Sequence, residues 1–69
     1  TQMIAQLRFL SLHRKYLHPS FFSPSAIALI EDIIEHPPEI QYRTLIIECC
    51  LHLLITWVHI LADTDPTLG

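Results

Sequence analysis

Glu48, His52 and His59 stand in the pattern Glu-x3-His-x6-His, and it is here that the chain comes nearest to metal chemistry. On a helix, a carboxylate and an imidazole four residues apart share a face and offer one ion a two-point site. His59 falls about 10 Å farther along the axis, beyond the reach of that ion. A histidine from another element, such as His13, would have to complete the set. Nothing matches HExxH or a paired CxxC. Glu48 and His52 are therefore weak metal candidates, expected to form a solvent-facing seam. No metal or cofactor is expected.

Cys49 and Cys50 are the thiols of the chain. Adjacent residues on a helix project about 100° apart, and both cysteines lead away from the His52 seam, so both are expected to face the core as small hydrophobes. A nucleophilic cysteine needs an electropositive, accessible setting. Neighbours in sequence are also poorly placed to staple a fold, and free thiols on an apolar helix fit a reducing, intracellular setting in cytoplasm or nucleus. Ser11, Ser20, Ser23 and Ser25 have histidines for company, but no glycine-rich turn poises a nucleophile or cradles a phosphate. Enzyme activity is not expected.

Arg8 and Lys15 lie seven residues apart on one side of a first helix, with Arg14 well round from them. A nucleic-acid surface normally shows a larger basic stripe on a basic domain, whereas this chain carries a net charge of -3. Nucleic acid is not the expected partner. No acid precedes Glu31, and from there seven acids oppose Arg43 alone. That asymmetry permits either electrostatic pairing of the first helix with the rest or an acidic partner.

The element that must carry most of these residues is the stretch at 39–62, EIQYRTLIIECCLHLLITWVHILA. Gln41, Glu48, His52 and His59 form a thin polar seam at helical spacing, joined by Ile55, and apolar residues fill most of the remaining circumference. An ordinary surface helix has the reverse proportions. Pro38 suits a first helical position, so a helix is predicted over 38–62. Residues 44–62 also reach the length of a membrane span. Glu48, His52 and His59 inside that window, with Asp63 and Asp65 rather than Lys or Arg beyond it, weigh against one.

Upstream, a first helix is predicted over 2–17, ended by His18-Pro19. It carries two apolar stripes, Met3, Leu7, Leu10 and Leu17 on one side and Ala5, Phe9, Leu12 and Tyr16 on nearly the opposite side. Either one stripe faces the core and the other is left for something else, or a single broad core face leaves Phe9 or Tyr16 partly exposed. Ser23 is a good N-cap with Pro24 behind it, and Phe22 with Ile27 matches a hydrophobic staple. The second helix, predicted over 24–35, sets Ile27, Leu29, Ile30, Ile33 and Ile34 opposite Glu31, Asp32 and Glu35, and His36-Pro37 ends it. Residues 63–69 read as a flexible tail.

Sixty-nine residues allow one domain, placed at 1–62, with a marginal core of its own. The chain begins Thr-Gln without a signal-peptide pattern and is expected to be cut from a longer protein. The fold class expected is all-α, either a three-helix up-down-up bundle or an α-solenoid-like fragment with a long, largely apolar third helix. The second helix is too short to cover that rod. The expected function is a helical protein–protein interaction module, a scaffold or adaptor in a larger intracellular assembly, taking a partner helix on its first or third helix. Phe9, Tyr16 and Trp57 are the expected anchors, with Leu53, Val58, Ile60 and Leu61 as surrounding surface. An obligate homodimer is the first alternative and a membrane-associated segment the second.

Overall fold

The computed structural model describes residues 2–64. These residues are all-α, with three helices: α1 (Gln2–Leu12), α2 (Pro24–Glu35) and α3 (Arg43–Thr64). Short 3-10 turns at Arg14–Tyr16, Pro19–Phe21 and Ile40–Tyr42 lie between them. Both α1 and α2 pack on α3 rather than chiefly on each other. With 22 residues, α3 is about 33 Å long and sets the long dimension of a body measuring 41 × 22 × 19 Å.

α1 stops five residues before its predicted end at 17. The last α-type bond runs from the His13 N–H to the Phe9 carbonyl at 3.0 Å, and the chain then tightens into a 3-10 turn. Side chains occupy the carbonyls released there. Arg14 Nη1 donates to Ser11 O at 2.6 Å, and the His13 ring Nδ1 lies 3.0 Å from Phe9 O. Basic side chains at a helix C-terminus also suit its partial negative charge. Pro19 keeps His18 extended, as expected.

α2 has its predicted bounds. The Ser23 hydroxyl accepts from the Ala26 N–H at 3.2 Å, and Phe22 and Ile27 are both buried beside that cap. The start of α3 is corrected from 38 to Arg43. Residues 36–42 contain no Ser, Thr, Asp or Asn to accept from the first free N–H groups. The chain instead passes through extended Glu39 and a 3-10 turn closed by Tyr42 N–H to Glu39 O at 3.0 Å. At the other end α3 runs past 62 to Thr64, whose hydroxyl donates to Ile60 O at 2.9 Å. Asp63 and Thr64 are thus helical rather than tail; 65–69 lie outside the described residues.

The core consists of Ile4 and Leu7 from α1, Phe22 from the connector, Ile27 and Ile30 from α2, and Ile46, Cys49, Cys50 and Leu53 from α3. The α3 members recur at i, i+3, i+4 and i+7, a single inward stripe. Beyond Leu53 no described residue of α3 is fully buried; Leu54, Trp57 and Ile60 rest half-covered against the core edge. Trp57 shares a recess with Phe22, Pro24 and Ile27, and Ile60 one with Leu17 and Pro19. The start of α2 and the chain after α1 therefore shelter one side of the second half of α3.

Candidate interaction surfaces

The stripe Ala5, Phe9, Leu12 and Tyr16 is exposed along its whole length, while Leu7 is buried and Met3, Leu10 and Leu17 are half-buried on the other side. Of the two apolar stripes on the first segment, the one through Leu7 faces inward. Phe9, 62% exposed, stacks obliquely on the His13 ring with centroids 4.4 Å apart. Tyr16 lies under the Lys15 ammonium at 5.1 Å. These contacts fix the rings locally without covering them.

On α3 the outward side is apolar as well. Leu51, Ile55 and Val58 are exposed, and Ala62 continues the line. At about 100° per residue these positions fall roughly opposite the buried stripe. Ile47, Leu54 and Leu61 border the line on one edge; Glu48, His52 and His59 form the other. Thus α3 has oil on two opposed sides and a polar edge along part of one flank. This is why its sequence shows no dominant apolar face.

The predicted anchors separate accordingly. Phe9, Tyr16, Val58 and Leu61 lie on the surface, and Trp57 and Ile60 are half-buried at the core edge. Leu53 is 1% exposed and belongs to the core. Its assignment to a partner surface is corrected: it is the last member of the i, i+3, i+4, i+7 stripe that α1 and α2 cover. Leu29 is the converse correction, 60% exposed despite its expected place on the inner side of α2. It borders an open, largely apolar groove of about 260 Å³ between α1 and α2, floored by Leu7, Ile30 and Leu53. That groove follows from α1 and α2 both leaning on α3, an arrangement no single-helix periodicity reveals.

Glu48 and His52 approach to 3.8 Å across one helical turn. Both are well exposed there, so such a pair contributes about half a kcal/mol or less. No group of three metal-ligating side chains occurs among the described residues, and His13 is engaged on Phe9 O rather than brought to Glu48 and His52. A recess between α1 and α3 does gather Arg8, Arg14, Glu48 and His52. Neither these arginines nor Lys15 pairs with an acid among the described residues.

Both cysteines are buried and free, as their positions on the helix predict. Burial, aided by the neighbouring Cys49 thiol, pushes the Cys50 thiol up from 9.0 to about 11. Such a thiol stays protonated near neutrality and makes a poor nucleophile. Ser11, which the sequence reading did not place in the core, is also buried and lines the same recess as Cys49. Small side chains at 11 and 49 suit the close approach of α1 to α3. Comparison with protein-family models, with curated proteins and with solved structures finds no match.

Proposed function

We propose that the chain is a helical protein–protein interaction module, a scaffold or adaptor layer of a larger intracellular assembly, that docks through apolar helix faces and has no enzymatic role. The observation that carries this reading is the outward side of α3, where Leu51, Ile55 and Val58 stand exposed opposite the core. Burying side chains of this size is worth about 1.5–3 kcal/mol each, and a partner helix laid along them would gain it. Phe9 and Tyr16 are the aromatic anchors of a second face, and Trp57 and Ile60 support the first from the core edge. In this reading the three helices form an up-down-up or solenoid-like layer whose outer sides receive neighbouring layers.

The test is the solution state with and without detergent, read by light scattering and by a dye that fluoresces on apolar surface. Dye binding that Ile55→Asp and Val58→Asp abolish, with helicity kept and no need for detergent, supports docking. A compact monomer without dye binding sinks it. One observation favours a second reading, a membrane-associated segment: Ile40–Thr64 is long enough to cross a bilayer and contains an 18-residue window of mean hydropathy 2.0. Against it, Glu48 and His59 are exposed on α3, where lipid would meet them.

A further inference from the structure

We infer that the occupant of the outward α3 face is a second copy of this chain, its α3 running antiparallel to the first. The inference rests on the docking reading above and names the partner for that face. It starts from spacing. Thr44, Glu48, Leu51, Ile55, Val58 and Ala62 alternate at four and three residues, the seam of a short coiled coil. Leu51, Ile55 and Val58 on this seam are exposed, and the core-facing residues lie on the far side of the helix. A second α3 can therefore approach without displacing α1 or α2.

The polar residues choose the direction. In a parallel pair like meets like, so Glu48 would face Glu48 of the other copy across a closing seam. Each histidine of one edge would then oppose an apolar residue of the other edge, His52 against Ile47 and His59 against Leu54. Both arrangements are unfavourable. Running the helices antiparallel removes both conflicts. With the two-fold axis at the level of Leu53, Leu51 of one copy layers on Ile55 of the other, and Glu48 on Val58, with Ala62 opposite Thr44. Glu48 then neighbours His59 of the other copy, a complementary contact made twice. The flanks also sort themselves: Ile47, Leu54 and Leu61 meet their own kind on one side, and His52 lies beside His52 of the other copy on the other. A surface that matches itself under a two-fold rotation is what an isologous dimer needs.

Two rods of about 33 Å can meet along their full length in this register. Association would be reversible, because only two full heptads of apolar seam contribute.

The experiment is sedimentation equilibrium on the full chain, followed by disulfide trapping. The wild type should populate a dimer in a concentration-dependent way. Ile55→Asp, on the exposed side, should keep helicity and raise the dissociation constant at least about thirty-fold. An oxidised mixture of Leu51→Cys and Ile55→Cys should cross-link between the two variants in preference to either alone; the native thiols are buried and silent. Preferential linking of Ile55→Cys to itself, the parallel outcome, overturns the inference. So does self-association that Ile55→Asp leaves intact. A monomer whose apolar dye binding is lost in Ile55→Asp also overturns it, while leaving the docking reading standing. A monomer that co-sediments with phosphatidylcholine vesicles overturns both.

Discussion

The two halves of α3 have nearly the same apolar character in sequence and opposite situations in the fold. Residues 43–53 send Ile46, Cys49, Cys50 and Leu53 into the core, with α1 and α2 closing over them. Residues 54–64 offer Leu54, Trp57 and Ile60 only a partial shelter and leave Ile55, Val58 and Leu61 exposed. Hydrophobicity thus does not decide burial here; the length of the covering helices does. α1 and α2 have 11 and 12 residues against 22 in α3, so two short elements cannot blanket the rod.

Substitutions can sharpen that contrast. Leu53→Ala should cost about 2–5 kcal/mol in denaturant unfolding, since it opens a cavity at a fully enclosed site. A loss below about 1 kcal/mol would mean that the first half is not the anchor. Alkaline titration probes the same half next. Because the folded Cys50 thiol titrates near 11 rather than 9.0, its neutral form is favoured by folding. The stability it lends is intact below pH 9 and is lost as pH rises from 9 toward 11. Melting in Cys50→Ala should be flatter across that window, and an unchanged slope would contradict the burial.

Trp57→Ala, in the half-sheltered part, should cost only about 1–2 kcal/mol. Outright unfolding would move Trp57 into the core. Ser23→Ala should cost about 1 kcal/mol by removing the α2 cap. Since Phe22 and Pro24 line the recess holding Trp57, tryptophan emission should shift before the global melt. Smallest is Val58→Ser, within about 0.5 kcal/mol for the monomer. Amide exchange ties the set together: protection should be strong at 46–53 and fall across 57–64.

What was legible in advance had local causes. Ser23, Pro24 and His36-Pro37 fix both ends of α2 because each acts on its own backbone. The two stripes of α1 were visible from periodicity, yet which of them turns inward depends on α3 and could not be read. The end of α1 depends on His13 and Arg14 folding back onto carbonyls, a choice that no proline or glycine announces. Leu53 and Leu29 exchanged places for the same reason. A helix wheel assigns sides, and only the neighbours decide which side is covered. Ser11 shows the limit plainly, since a serine carries no apolar signal and is buried only by the nearness of α3.

Every fully buried core residue, from Ile4 to Leu53, precedes the last eleven described residues of the chain. During synthesis from the N-terminus, all the side chains that close the interior have therefore been made before the outer end of α3 exists. A chain halted after Thr56 should already melt cooperatively, and failure to do so would show that the outer end is required. The greasy overhang therefore leaves the ribosome only after the residues that close the interior, which shortens the time it spends bare beside an unformed interior.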